Sequence, residues 1–94
     1  MSKIKRYKDY IKSLPCAVCQ DDTRVDQHHL INIPGITKGV SNKLPEILSI
    51  PLCRKHHDAL HADLKEFELW YTTQTILLAQ TLVRAQIDGE INVH

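Results

Sequence analysis

The spacing of apolar residues predicts a helix at the start of the chain. Ile4, Tyr7, Ile11 and Leu14 recur at intervals of three or four residues, which places them on one face of a helix. Pro15 disfavours helical backbone angles at the residue before it. The helix is therefore predicted to end where the first cysteine-containing segment begins.

Two segments then predict two strands joined by a loop. Residues 25–31 are predicted to form a short strand that carries the pair His28 and His29. Residues 46–52 are apolar enough for a second strand, and they contain Pro51, which is typical of an edge strand or a strand end. Residues 32–45 contain a Pro-Gly pair and a further glycine, which predict a loop between the two strands.

The C-terminal third of the chain predicts helices. A short helix that carries His57 and His61 is expected directly after the second strand. Asp63 and Glu66 then have the spacing of a helix N-terminal cap, and Gly89 is a typical helix stop, so one long helix is predicted from residue 63 to about residue 87. Its predicted apolar stripe comprises Phe67, Trp70, Leu77, Leu78, Leu82 and Ala85.

Chain length limits how much stability a hydrophobic core can supply. The 94 residues suit one domain spanning residues 1–94, and they include only five aromatic side chains. Domains of this size commonly need a structural metal or another staple. No apolar run is long enough to cross a membrane, no signal peptide is evident, and an odd count of three cysteines does not suit a disulfide framework. A cytoplasmic setting without a membrane partner is expected.

The distribution of charge is more informative than the net charge of +1. Residues 1–14 carry five basic side chains and one acidic side chain, whereas residues 58–94 carry two basic and six acidic ones. A basic leading helix could lie along phosphate groups. A solvated helix face explains the same charges without any partner, and it is the simpler interpretation of the charges taken alone.

The cysteines and histidines stand close together along the chain. Cys16 and Cys19 form a C-x2-C pair, and Cys53 and His56 form a distant C-x2-H pair. These ligand types at this spacing are typical of a tetrahedral zinc site, with His57 as an alternative fourth ligand. If the cysteines were only buried apolar residues, the paired spacing would have no explanation.

Apart from His94, four histidines remain once a zinc site is filled. His57 and His61 are four residues apart, so on a helix they share a face and can bind one metal ion. His28 and His29 are consecutive, and on a strand their side chains point to opposite faces. One histidine of that pair is therefore suited to bind a metal, and the other is suited to act on substrate or water. Together with His57 and His61, the pair predicts a second metal site with open coordination positions.

The order of these motifs resembles the HNH endonucleases, which have the ββα-metal fold. Residues 25–30 resemble that family's first strand, and residues 50–57 resemble its second strand running into the helix. The chain is more narrowly similar to small phage and prophage nucleases of the YbcO and Ref recombination type. The resemblance covers about residues 14–70. It implies an α+β fold with a small zinc-stapled ββα-metal (HNH) core, flanked by an N-terminal helix and a long C-terminal helix.

The resemblance also implies roles for individual residues in DNA phosphodiester hydrolysis. His29 becomes the general base, and His28, His57 and His61 become the ligands of one catalytic ion, Mg²⁺ or another divalent ion. The structural Zn²⁺ would be held by Cys16, Cys19, Cys53 and His56. A recombinase filament becomes a candidate partner beside DNA. The basic residues near these elements, expected to hold flanking phosphates, are Lys38, Lys43, Arg54 and Lys55.

One family feature is missing, and two other functions compete. The family's middle asparagine, which orients the base, has no counterpart in residues 46–52; Glu46 or Ser49 could substitute, and Asn42 is the nearest asparagine. A non-catalytic zinc-stapled nucleic-acid- or protein-binding module would need only the first four ligands. A metalloprotease of the H-E-x-x-H type is disfavoured because Asp58 occupies the glutamate position and its side chain is shorter.

Overall fold

The computed structural model describes residues 3–33 and 47–90 of the chain, with side chains from residue 6 onward. In chain order the described part contains two strands and four helices, which confirms the predicted α+β class. The elements are α1 (Lys3–Ser13), β1 (Val25–His29), β2 (Ser49–Cys53), α2 (Arg54–Ala62), α3 (Leu64–Trp70) and α4 (Gln74–Ile87).

Strands β1 and β2 form a two-stranded antiparallel sheet. His29 lies opposite Ser49 in the register, at the end of the sheet nearest the loop between the strands. Pro51 lies in the middle of β2, and its carbonyl oxygen accepts a hydrogen bond from the backbone N–H of Ala17 at 2.9 Å. Proline is tolerated there because β2 is an edge strand, which confirms the edge interpretation of Pro51.

Helix α1 packs where its apolar stripe predicts. Tyr7 and Ile11 are buried together with Ala85 of α4, and Leu14 packs against this group. The helix ends at Ser13, two residues before Pro15. The stripe of α1 therefore covers the end of the last helix.

The main core lies between the sheet and helices α2, α3 and α4. Its buried apolar side chains come from β2, from Leu30 directly after β1 and from all three helices, and two of the three cysteines are buried among them. The fully buried members with the largest side chains are Leu30, Ile50, Leu52 and Leu60. A metal bound by those two cysteines would contact the core on one side, whereas Cys19, the third cysteine, is exposed.

The prediction of one long C-terminal helix is wrong. The backbone leaves the helix at Tyr71 (φ −118°, ψ −82°), and a new helix begins after Thr73, whose side-chain oxygen accepts a hydrogen bond from the N–H of Ile76 at 3.3 Å. The two apolar stripes are therefore not continuous, and Trp70 is 74% exposed. The other members of the predicted stripe are buried or partly buried: Phe67, Leu77, Leu78, Leu82 and Ala85.

Both predicted ends of this region are confirmed. The carboxylate of Asp63 accepts a hydrogen bond from the backbone N–H of Glu66 at 3.1 Å, so Asp63 is the N-terminal cap of α3. Gly89 follows α4 with φ +76°, a left-handed conformation that glycine adopts without strain. None of the helices in the described residues is long and apolar enough to cross a bilayer.

We expect Asp63→Ala to destabilise the fold by about 1 kcal/mol, because it removes the oxygen that satisfies a free N–H at the start of α3. Asp63→Asn is the matched control, since asparagine caps helices about as well and only the charge is lost. Urea denaturation of both variants measures the difference in the free energy of unfolding. Equal stability of the two variants would contradict the capping role.

Candidate metal centres

A tight turn and a strand end bring together the first group of ligands. The turn at residues 16–19 is closed by a hydrogen bond from the N–H of Gln20 to the carbonyl oxygen of Cys16 at 2.9 Å. Cys53 is the last residue of β2 and the N-terminal cap residue of α2, and His56 lies in the first turn of that helix. Cys16, Cys19, Cys53 and His56, called here the cysteine cluster, offer ligand atoms that all lie within 4.8 Å of one another.

Two of three ligand-to-ligand distances within the cysteine cluster match a tetrahedral ion, and the third is about 0.2 Å shorter than expected. The Sγ atoms of Cys19 and Cys53 are 3.8 Å apart, and the Nδ1 of His56 lies 3.8 Å from the Sγ of Cys16 and 3.1 Å from the Sγ of Cys53. A zinc ion with bonds of about 2.0–2.3 Å would separate its ligands by roughly 3.3–3.8 Å. All three cysteines are free of disulfides. The cluster could therefore hold a metal ion such as zinc.

The pKa values in the cysteine cluster favour metal binding over protonation at two of its ligands. Burial raises the pKa of Cys16, but hydrogen bonds from backbone N–H groups, including that of Val18 at 3.4 Å, outweigh it and lower the pKa overall. Burial, together with the neighbouring Cys19 and Cys16, raises the pKa of Cys53. Burial lowers the pKa of His56. A lowered pKa favours the thiolate at Cys16 and the neutral imidazole at His56, which are the forms that bind a metal, and a cation would favour ionisation of the remaining thiols.

A second group of ligands forms where β1 faces α2. His28, His57 and His61, called here the histidine cluster, also offer ligand atoms within 4.8 Å of one another. The Nε2 atoms of His57 and His61 are 3.2 Å apart, and the ring of His28 lies 5.1 Å and 5.2 Å from their ring centres. The spacing of four residues on α2 therefore does bring two of these imidazoles to one point, as the sequence predicts.

The histidine cluster is buried on one side and open on the other. His28 is 1% exposed, His57 is half-buried and His61 is exposed. Burial, with smaller contributions from the neighbouring histidines, lowers the pKa of His28 to about 4. His28 is thus neutral at pH 7 and keeps a lone pair for a metal. An ion held by these three side chains would keep coordination positions on the side that faces solvent.

Two further residues orient the imidazoles, and the sequence analysis missed both. The carboxylate of Asp26 lies 3.1 Å from the Nδ1 of His57, which leaves the Nε2 of His57 to face His61. That hydrogen bond, with a second from Arg54, lowers the pKa of Asp26. The Nε2 of His28 lies 2.9 Å from the side-chain oxygen of Gln74. Asp26 could have been found from strand alternation, because it lies two residues before His28 on the same face.

The remaining predicted site residues lie outside both clusters. His29 is half-buried at the end of β1. Arg54 forms ion pairs with Asp26 at 3.1 Å and Asp58 at 3.6 Å, so its guanidinium is occupied by carboxylates. Lys55 is exposed on α2. Four residues named from the sequence lie outside the described residues, namely Lys38, Lys43, Asn42 and Glu46.

Comparison with known proteins places the chain in a family. The sequence profile of a family described as "Protein of unknown function (DUF968)" matches residues 1–89. The chain belongs to this family. Both ligand clusters lie inside the matched range.

A relative in Escherichia coli (strain K12) carries a similar segment. The "Uncharacterized protein YdfU" is 37% identical over 85 residues, which cover 90% of this chain and 24% of the relative. The chain thus spans about a quarter of the length of the curated relative it matches. No solved structure matches the chain. Neither name describes an activity.

We expect His56→Ala to remove the metal from the cysteine cluster, while His57→Ala leaves it in place. The two histidines are neighbours in sequence but belong to different clusters, so they form a matched pair. Protein purified without added metal should hold about one zinc per chain, and loss of a structural zinc also removes several kcal/mol of folding free energy. Metal analysis and thermal unfolding check both expectations. A His56→Ala protein that stays folded and zinc-loaded would exclude this ligand set.

Proposed function

We propose that this chain is a metal-dependent endonuclease of the HNH type that hydrolyses DNA phosphodiester bonds. The observation that carries the proposal is the convergence of His28 from β1 with His57 and His61 from α2. A fourth histidine, His29, follows directly on β1. A zinc-stapled binding module needs only the cysteine cluster, so the histidine cluster favours the enzyme over that alternative.

The histidine cluster would hold Mg²⁺ or another divalent ion. Three imidazole ligands suit transition ions better than Mg²⁺, which prefers oxygen ligands. When bound, such an ion supplies positive charge next to the scissile phosphate and the leaving oxygen. His28 and His57 are held in place by Gln74 and Asp26, so the site is organised by the protein before substrate arrives.

His29 is the proposed general base. A neutral imidazole can accept a proton from the attacking water. Its neighbour His28 faces the histidine cluster, and alternation along the strand gives His29 a separate direction. Among the candidates for the residue that orients this base, Ser49 is the one within the described residues, and it lies directly opposite His29 in the sheet.

The cysteine cluster is proposed to hold a structural Zn²⁺. It joins the turn at residues 16–19 to the start of α2, and His57 follows His56 directly on that helix. A metal at this point would therefore fix the direction in which α2 presents His57 and His61. The catalytic ion and the structural ion would have different ligands and different exchange rates.

DNA contacts are proposed for the basic residues near the histidine cluster. Lys55 is exposed and free of ion pairs in the described structure, which makes it the stronger of the two candidates on α2. Arg54 would have to leave Asp26 and Asp58 to reach a phosphate. Lys38 and Lys43 remain candidates from the sequence. A role in phage or prophage recombination and a recombinase filament as partner are proposed on the family resemblance. A cytoplasmic location is proposed because an odd count of three cysteines does not suit a disulfide framework.

We expect His29→Ala to lower the rate of DNA cleavage by about 10²- to 10⁴-fold, because a lost general base slows proton transfer by that order. Zinc content, uptake of the second ion and DNA affinity should stay close to those of the wild type. The assay incubates single-stranded and duplex DNA with Mg²⁺, Mn²⁺ or chelator. Wild-type cleavage by His29→Ala would contradict its role as base, and a wild-type protein that binds but never cuts DNA would favour the non-catalytic module.

We expect His61→Ala to act differently, by weakening affinity for the second ion. His61 is the exposed member of the histidine cluster, so its loss removes a ligand without disturbing the core. Excess Mn²⁺ should partly restore cleavage to His61→Ala but not to His29→Ala. Cleavage measured against metal concentration separates the two variants. If added metal rescues both variants equally, the division of roles between ligand and base is wrong.

A further inference from the structure

Gln74 is a buried polar residue at the start of α4, and it belongs to neither metal cluster. It is 1% exposed, and its side chain reaches His28, which lies 46 residues earlier in the chain. Its own backbone N–H donates to the carboxylate of Glu68 at 2.9 Å, which anchors the junction between α3 and α4. A buried amide must satisfy both its donor and its acceptor, so its partners define its orientation.

Ile31 fixes which way the amide of Gln74 points. The side-chain nitrogen of Gln74 donates to the carbonyl oxygen of Ile31 at 2.8 Å, and its side-chain oxygen accepts from the backbone N–H of Ile31 at 3.1 Å. A reversed amide would place donor against donor and acceptor against acceptor at these two contacts. The atom that faces His28 is therefore the oxygen, at 2.9 Å from Nε2.

This orientation determines the tautomer of His28. An amide oxygen can only accept a hydrogen bond, so the Nε2 of His28 must carry the hydrogen. In a neutral imidazole the other nitrogen then carries the lone pair, and only a lone pair can bind a metal. The remaining nitrogen is Nδ1.

We propose that Gln74 is the positioning residue that holds His28 in the Nε2–H tautomer and so makes Nδ1 its metal-binding atom. Helix α4 thereby contributes to the histidine cluster without supplying a ligand. The proposal rests on the part of the proposed function that makes the histidine cluster a metal site, and it does not depend on DNA cleavage. The break between α3 and α4 matters for this contact, because α4 begins at Gln74, the residue that contacts His28.

Gln74→Met tests the proposal, since methionine keeps the length of the side chain and removes both hydrogen-bonding groups. Thr81→Val is the matched control: Thr81 is also buried on α4, but its hydroxyl donates only within the helix, to the carbonyl oxygen of Leu77 at 2.9 Å. Titration with Co²⁺ of protein already loaded with zinc measures the affinity of the histidine cluster. Nitrogen-15 NMR of the imidazole rings, recorded before Co²⁺ is added, reports the tautomer of His28 directly.

We expect the wild type to show the Nε2–H tautomer at His28, and Gln74→Met to show loss of that preference. Co²⁺ affinity should fall by about 10- to 100-fold in Gln74→Met and stay unchanged in Thr81→Val, with equal zinc content in both. An Nδ1–H tautomer in the wild type, or unchanged Co²⁺ affinity in a folded Gln74→Met protein, would overturn the proposal. If Gln74→Met fails to fold, the tautomer of His28 measured by NMR in the wild type still tests the proposal. If the protein meets these expectations but cuts no DNA, the proposed nuclease activity is contradicted and the proposed role of Gln74 is still supported.

Discussion

Both ligand clusters depend on helix α2, and its placement is the constraint that organises the rest of the structure. His56 and His57 are consecutive on this helix, so their side chains project about 100° apart. His56 points back to the turn at residues 16–19, and His57 points to β1 together with His61. Whatever fixes α2 through Cys53 and His56 therefore also sets the geometry of the histidine cluster.

Two of the three cysteines in the cysteine cluster lie within the hydrophobic core, which has an energetic consequence. Cys16 and Cys53 are buried among the apolar side chains of the main core. In a domain of this size, metal binding free energy becomes folding free energy, since the ligands are brought together only in the folded chain. The histidine cluster differs because it is buried at His28 and open at His61. The two clusters thus suit a permanent ion and an exchangeable ion.

Local patterns in the sequence predicted which cysteine and histidine side chains come together, because metal-ligand spacing is itself local. The C-x2-C pair lies on one turn, the C-x2-H pair lies on a strand end and the first helical turn, and His57 and His61 lie on one helix face. The capping role of Asp63 was predictable for the same reason. The roles of Lys38 and Lys43 stay predictions.

Features that depend on contacts between distant residues could not be predicted in this way. The single C-terminal helix was the wrong interpretation because an apolar stripe continues in sequence across Tyr71 and Thr73, while the backbone changes direction there. The exposure of Trp70 follows from that break. The contact between Gln74 and His28 has no local signature either, since the two residues meet only through the packing of α4 against the sheet.

We propose that one ion maintains the fold while a second, exchangeable ion supports hydrolysis. The most direct measurement treats the wild-type protein with a mild chelator and then follows zinc content, melting temperature and DNA cleavage on the same sample. The account predicts that cleavage is lost while about one zinc per chain and the melting temperature are kept, and that added Mn²⁺ restores cleavage. Two results would contradict this proposal. In the first, cleavage is lost only when zinc and the folded structure are lost as well. In the second, cleavage continues with no exchangeable ion present.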